Sequence, residues 1–435
     1  MIVQIQPPSG LIQKVLRPQV SQEDDSYRIS SWVIPLCHNN KEYLYNVLTK
    51  ELVYIENESL TYNEELIKRW FLVESDFSEF KLVSQVKRMF SILHSRNTGV
   101  TNYTIFTTTA CNARCYYCFE RYGSKVVLRD NMCNEIISFI IRNSNNKHIY
   151  IQWFGGEPLL NTSSIDRICI GLKNAGISYD CSITTNGYLF SQDVITKAKN
   201  LWMLDKAQIT IDGTKDNYNR IKNYIYDNKN PFAKVLNNIQ VLLDNGIRVD
   251  IRLNVSLDNC ADLSVLIHQI YENFGKHPLL KIYTSPIFEL VNDINAGTLV
   301  DKLNQLQNII SSYNLDKSYG YFTNNRINHC KADNNGQSVV IFPDGNLGWC
   351  EHEWEKDYIG NVLMFNKTNE QFKHSTRWRE YNVFERCEKC MLFPDCLKLS
   401  RCDTNSQCIS DFIAFDLRII RDTMIKKIDS YEAQV

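Results

Sequence analysis

The sequence predicts an α/β protein: a parallel sheet of strand and helix units, doubly wound or curled towards a barrel, with a small α+β module before it and a cysteine-rich region after it. Three observations carry this expectation. Strand-like and helix-like segments alternate from about residue 103 to 312, the stretch ahead of them reads as a hairpin followed by helices, and seven of the fifteen cysteines crowd between residues 330 and 408. At roughly 150 residues per domain, a chain of 435 residues accommodates about three units, drawn at 1–97, 98–320 and 321–435.

In the first unit, residues 32–37 and 43–48 form a short hairpin, and helical stretches follow around 64–72 and 80–93. In the second, strands are expected at 103–109, 149–155, 179–187, 206–213, 248–256 and 280–288, most of them rich in Ile, Val, Thr or aromatics and several closing on Gly or a polar turn. Between them, Phe232, Val235, Leu236, Ile239, Leu242 and Leu243 share one helical face that stops at Gly246. Leu263, Leu266, Ile267, Ile270, Tyr271 and Phe274 repeat the pattern before Gly275. This order implies right-handed crossovers and a functional site at the C-terminal strand ends. In the third unit, residues 338–342 and 347–350 flank an Asp344-Gly345 turn, a hairpin signal.

Composition excludes several classes. With 48 Lys and Arg against 49 Asp and Glu, the net charge of −1 gives no basis for binding nucleic acid or an anionic membrane, and 44% hydrophobic residues exclude a disordered chain. No uncharged apolar run approaches the ~18 residues of a membrane span, and residues 1–10 lack the basic start and apolar stretch of a secretory signal. A soluble, cytoplasmic protein is expected, whose cysteines ligate metal or sit buried as free thiols. Cys37, Cys133, Cys169, Cys181 and Cys260, in apolar or helical contexts, read as small buried hydrophobes.

Directly after the first strand of the sheet comes Cys111-Asn-Ala-Arg-Cys115-Tyr-Tyr-Cys118. Three thiolates this close can ligate three irons of a four-iron cubane and leave the last iron open, as a catalytic site requires. On spacing alone, a zinc knuckle or three incidental thiols remain alternatives. The CxxxCxxC pattern, with aromatic Tyr117 before its last cysteine and a strand before its first, resembles the radical SAM superfamily. That resemblance implies a partial (β/α)6 TIM-like barrel and a 4Fe-4S cluster whose open iron is chelated by S-adenosylmethionine, cleaved by one electron to a 5'-deoxyadenosyl radical. Gly155-Gly156-Glu157-Pro158, ending the second strand, resembles the family's GGEP motif, which receives the methionine amino group. Thr184-Thr185-Asn186-Gly187, ending the third, resembles the segment that contacts the ribose. Tyr117 and Phe119, on either side of Cys118, belong to the same implied set of cofactor contacts. Each short motif taken singly is also compatible with a plain strand-ending turn. Asp212 closes the fourth strand, and Arg252 and Asn254 alternate on the fifth and so face one side. In relatives such residues line the cofactor or substrate cavity; the alternative is a turn aspartate and a paired or solvated arginine.

The C-terminal series runs Cys330, Gly345, Cys350, Cys387-x2-Cys390-x5-Cys396, Cys402 and Cys408. It is similar to the SPASM domain, departing from it where Ser400 replaces the expected cysteine and Cys402 follows two positions later. The resemblance implies two auxiliary 4Fe-4S clusters and hence three in all: an outer one on Cys387, Cys390, Cys396 and Cys408, and an inner one on Cys330, Cys350 and Cys402, with Cys402 and Cys408 exchangeable. The inner cluster then has an open iron or an added ligand such as His329. Two zinc-ribbon sites are the alternative for the CxxC spacing alone.

SPASM enzymes act on peptides and proteins, so the resemblance implies a maturase of a ribosomally made precursor peptide that forms a thioether or carbon–carbon crosslink. A sulfatase-maturating oxidase that makes formylglycine is the second enzyme reading, with Glu351 at the place of that branch's proposed catalytic base; a surface Glu in a charged run is its bland counterpart. A non-catalytic peptide-presenting partner is the reading from another class. The expected partners are the peptide or protein substrate and a reductant such as flavodoxin or ferredoxin, with no nucleic acid and no membrane. Residues 25–95 are compatible with a winged-helix module that captures a leader peptide by strand addition.

Overall fold

The structure is a computed structural model that describes residues 2–8, 27–56, 60, 62–94, 99–118, 120, 124–227, 230–287, 290, 295–315, 337–351, 358–368, 385–388, 390–395 and 410–434. Phe119, His329, Cys330, Cys396, Cys402 and Cys408 lie outside the described residues.

The chain opens with β1 (Ile2–Gln6), β2 (Tyr27–Ile29), β3 (Val33–His38), β4 (Lys41–Asn46), β5 (Glu51–Ile55), α1 (Glu64–Lys68), β6 (Leu72–Glu74) and α2 (Glu79–His94). Four of these strands form an antiparallel sheet in the order β1-β5-β4-β3, and β2 pairs with β6. The β3–β4 hairpin is tight because Asn39 and Asn40 both take positive φ, 50° and 59°, which asparagine tolerates in such turns. Along β3, Ile34 and Leu36 face the core while Pro35 and Cys37 face solvent. Cys37 is therefore exposed and not the buried thiol its apolar context suggests; strand alternation overrides local composition. Cys133, Cys169, Cys181 and Cys260 are buried.

The middle of the chain alternates as expected: β7 (Asn102–Thr108), α3 (Asp130–Asn143), β8 (Ile149–Gly155), α4 (Thr162–Asn174), β9 (Tyr179–Thr185), α5 (Gln192–Asn200), β10 (Leu204–Thr210), α6 (Lys215–Lys222), α7 (Pro231–Asp244), β11 (Arg248–Val255), α8 (Cys260–Phe274), β12 (Leu280–Pro286) and α9 (Ala296–Ser312). Strands β7 to β12 lie side by side in chain order and all pair in parallel. Ile149, Ile151 and Trp153 of β8 are fully buried with Ile136, Phe139 and Ile165 of the flanking helices, each such side chain contributing about 1.5–3 kcal/mol. Tyr150, Gln152 and Phe154, on the other face, are only half-buried. Helix α7 begins where the Asn230 side chain accepts the Ala233 N–H at 3.2 Å ahead of Pro231, and it ends before Gly246 at φ 79°.

After α9 the chain returns with β13 (Ser338–Ile341), β14 (Asn346–Gly348), β15 (Gly360–Asn361), α10 (Val362–Thr368), α11 (Glu385–Glu388) and α12 (Ser410–Glu432). The expected hairpin is β13–β14. Its first strand joins the central sheet, pairing in parallel with β7 from Ser338↔Asn102 to Ile341↔Ile105 and giving a nine-stranded order β12-β11-β10-β9-β8-β7-β13-β14-β15. Helix α12 packs Ile420, Met424 and Ile428 onto Trp32, Ile34 and Leu36 of the N-terminal sheet. Its end is clasped by the β3–β4 hairpin: His38 Nε2 meets Asp429 at 2.6 Å, and Lys41, Asn39 and Tyr43 all donate to Glu432. Among the described residues no helix is long and apolar enough to cross a membrane.

Candidate active site at the strand ends

The end of β8 is shaped by close backbone approach. Gly155 has φ 127°, and a Cβ on it would lie 2.1 Å from the Thr108 carbonyl oxygen; one on Gly156 would lie 2.5 Å from that of Ala110. Only glycine lets β8 end flush against β7 and the loop that follows it. Glu157, fully buried, turns its carboxylate towards β9: Oε1 accepts from Leu159 N–H at 3.1 Å and Thr185 Oγ1 at 2.7 Å, and Oε2 accepts from Asn186 N–H at 2.9 Å. Burial pushes this carboxyl up to about 7, with the three donors pulling it back. The Pro158 carbonyl accepts from Thr107 Oγ1 at 3.0 Å. Glu157 and Pro158 thus spend their polar atoms joining β7, β8 and β9. Thr184 is half-buried and accepts from Gln152 Nε2 at 3.3 Å.

The loop from Cys111 to Cys118 is anchored to the same network. Tyr188 N–H donates to Asn186 Oδ1 at 3.0 Å, which orients that amide so that its Nδ2 donates to Asn112 Oδ1 at 2.7 Å. Asn112 is therefore left with a buried Nδ2 that has no acceptor among the described residues, directly beside Cys111. Ala113 N–H donates to Cys111 Sγ at 3.3 Å. Burial pushes the Cys111 thiol up to about 12 and raises Cys115 and Cys118 as well. A bound cation would reverse that shift, because a coordinating thiol is deprotonated outright, and three thiols within one loop are a donor set of the kind metals take. Among the described residues no three His, Cys, Asp or Glu side chains gather tightly enough for a single ion. The three sulfurs and the left-over amide donor fit an iron–sulfur cluster, a body larger than one ion with sulfide acceptors of its own.

Beneath this loop lies a pair that sequence reading found only by half. Asp212, 1% exposed, accepts from Tyr117 Oη at 2.7 Å and from Lys222 Nζ at 2.8 Å on Oδ2, and from Asn254 Nδ2 at 3.0 Å on Oδ1. Arg252 extends the chain, with Nε donating to Asn254 Oδ1 at 2.9 Å and Nη2 to Ser285 Oγ at 3.0 Å. Tyr117, Asp212, Arg252 and Asn254 are thus brought together. Lys222 carries no signal in the sequence, where a lysine on a polar helix reads as solvated. Glu120 is likewise silent in the sequence: both its oxygens are buried without a partner among the described residues, and burial pushes it up to about 7 against the pull of Lys125.

The remaining candidates lie apart. Cys350 is buried with Trp349 and Ile359, and its thiol meets Glu351 Oε2 at 3.8 Å. Cys387 and Cys390 pack instead against the N-terminal sheet and α12, with Cys390 N–H donating to Cys387 O at 3.2 Å.

A parallel sheet whose strand ends carry this cysteine loop and its glycine-lined neighbour defines a radical SAM domain, and residues 105–268 match the family model of the Radical SAM superfamily. The chain therefore carries a radical SAM domain, a family that implies S-adenosylmethionine and a 4Fe-4S cluster. The chain is similar to the radical SAM cyclopropyl synthase TigE of Paramaledivibacter caminithermalis, 23% identical over 79% of each chain. Its fold is that of native anSMEcpe solved with AdoMet and a Cp18Cys peptide, at 16% identity and TM-score 0.56 over 77% of this chain and 100% of that one. It is likewise that of Streptococcus suis SuiB bound to the precursor peptide SuiA, at 11% identity and TM-score 0.52 over 85% and 94%.

Proposed function

We propose that this enzyme is a maturase of a ribosomally made peptide, forming a carbon–carbon or thioether crosslink, with Cys111, Cys115 and Cys118 as ligands of the cluster that binds S-adenosylmethionine. When bound, cluster and cofactor supply a 5'-deoxyadenosyl radical that removes hydrogen from an unactivated C–H bond. The chain's own residues hold and enclose that chemistry. The Gly155–Pro158 turn and Thr184, Thr185 and Asn186 form the rim that receives the cofactor, and Tyr117, Asp212, Arg252 and Asn254 form its polar floor; Phe119 completes the set by its place in the motif. The observation that carries this reading is the unbroken chain of hydrogen bonds Glu157–Asn186–Asn112, which joins three successive strand ends into one rigid platform.

Likeness to a cyclopropyl synthase and to structures solved with peptides supports a peptide substrate and a new covalent bond. In the same proposal Cys387, Cys390, Cys396 and Cys408 hold an outer auxiliary cluster and Cys330, Cys350 and Cys402 an inner one, which carry away the electron left on the substrate, while a reductant such as flavodoxin or ferredoxin supplies the electron that cleaves the cofactor. Among the described residues β3 pairs on one side only, with β4, and its open edge suits addition of a leader strand. A sulfatase-maturating reaction is kept as second reading because Glu351 stands beside Cys350 where a base would be needed.

The test is anaerobic reconstitution of the full chain with iron and sulfide, followed by reaction with S-adenosylmethionine, dithionite and the short peptides encoded beside its gene. Formation of 5'-deoxyadenosine together with loss of a hydrogen pair from one peptide supports the proposal. Bound zinc in place of iron, or no 5'-deoxyadenosine, ends it, and formylglycine in a sulfatase peptide transfers the assignment to the second reading.

A further inference from the structure

The turn that ends α6 is bonded to the cysteine loop along its backbone. The Lys222 carbonyl, one of the orphan acceptors at a helix C-terminus, takes the Arg114 N–H at 2.8 Å, and Ile225 N–H donates to Asn112 O at 2.9 Å. Asn223 between them is left-handed, φ 43°, which turns the chain back onto the loop. From this turn the Lys222 side chain reaches inward, 3% exposed, to Asp212 Oδ2 at 2.8 Å and Tyr117 Oη at 3.3 Å, with the Tyr218 ring centroid 5.8 Å away. Tyr117 has one hydroxyl proton, directed to Asp212 at 2.7 Å, so its oxygen is free to accept from the ammonium. The result is a closed triangle of hydroxyl, carboxylate and ammonium, with its hydroxyl corner on Tyr117, the residue directly before Cys118.

An ammonium taken out of water is tolerated only when it is paired, and so is the carboxylate. Each member of the pair cancels the field of the other at a place where the dielectric is low and an uncancelled charge acts strongly on its surroundings. A four-iron cluster that gains an electron is sensitive to that field, because nearby net charge and hydrogen bonding set its potential.

We infer that Lys222 and Asp212 form a positioning pair for the cluster loop: they fix the Tyr117 hydroxyl, and by neutralising each other they hold the reduction potential of the cluster where the cofactor can be cleaved. This rests on Cys111, Cys115 and Cys118 being that cluster's ligands. Neither residue touches the reacting atoms; both act through Tyr117 and through charge.

Reconstituted full-length protein, titrated with dithionite and followed by electron paramagnetic resonance, provides the test, using the signal that changes when S-adenosylmethionine is added. Lys222→Met leaves the carboxylate uncancelled and shifts the midpoint of that signal to more negative potential. Asp212→Asn leaves the ammonium uncancelled and shifts it to more positive potential. The double variant, which removes both charges and spares the fold an unpaired buried ion, returns it close to wild type. A purely structural role predicts shifts of one sign that add in the double variant, and that result, or no shift in any variant, overturns the inference. If the wild-type protein has no signal that responds to S-adenosylmethionine, the assignment of the three cysteines fails instead.

Discussion

Glu157 has a role at odds with its place in a cofactor motif. All of its hydrogen-bond partners among the described residues are the protein's own donors, and burial raises its carboxyl from 4.5 to about 7. A raised carboxyl binds its proton more tightly in the folded state, so its contribution is fully present below the unfolded value and is lost as pH rises through the folded one. Between pH 4.5 and 7 this group alone should withdraw about 3 kcal/mol of stability, at about 1.4 kcal/mol per pH unit, and Glu120, raised to a similar value, acts in the same direction. Glu157→Gln should remove its share of that slope in urea unfolding measured across the window. It should cost about 1–3 kcal/mol of its own, because its amide would face the Asn186 N–H donor to donor. Gly156→Ala tests the neighbouring position. A Cβ 2.5 Å from the Ala110 carbonyl displaces the start of the cysteine loop, and a loss of about 1–3 kcal/mol together with weaker S-adenosylmethionine binding by equilibrium dialysis is expected. Both residues were legible in the sequence as a motif, whereas their work in joining strands was not. Lys222 was illegible altogether, since only the folded chain shows that its turn closes over Tyr117 and Asp212.

At the scale of elements, the strands were readable because each is a short run of β-branched and aromatic residues closed by a turn, and β8 matches its expected bounds, 149–155. The other ends differ by a few residues, as at β9, which stops at Thr185 because the Asn186 amide turns away to bond Glu157. Register makes the polar floor. β11 and β12 pair Arg252↔Tyr283 and Asn254↔Ser285, so alternation places Arg252, Asn254 and Ser285 on one surface, and Asp212 at the end of β10 completes it. The expectation that Arg252 and Asn254 share a face needed only the strand period; their hydrogen bond to each other needed the neighbouring strands. Arg252→Met removes two donors of this floor. Losing one hydrogen bond to a charged group is worth about 1.5–3 kcal/mol, so the KM for S-adenosylmethionine in uncoupled 5'-deoxyadenosine formation should rise at least about tenfold. If KM stays constant while only stability falls, Arg252 is a paired strand residue and no part of a cofactor floor.

The whole molecule places a limit on how the N-terminal module can be tested. Pairing between β13 and β7, and between a C-terminal helix and an N-terminal sheet, is invisible to a reading that moves along the chain, because both depend on contacts more than 200 residues apart in sequence. The module shares a core with the C-terminal region: Trp32, Ile34, Leu36 and Val83 pack with Leu392, Phe393, Ile420, Met424 and Ile428, and the Phe80 ring lies 4.6 Å from that of Phe393. Removing residues 1–95 would bare that surface, and an apolar core exposed over several side chains drives aggregation. Loss of precursor binding in such a truncation therefore says nothing about leader capture. A substitution on the solvent face of β3 separates the two roles. Cys37→Asp touches no core side chain, so melting temperature and iron content should stay at wild-type values while affinity for the precursor falls several-fold in an anaerobic binding titration. Phe80→Ala should do the reverse, lowering iron per chain by up to one cluster through the loosened Cys387–Cys390 turn while 5'-deoxyadenosine formation persists. Equal iron loss in both variants would mean that the module is a structural brace only, and that its open edge plays no part in recognition.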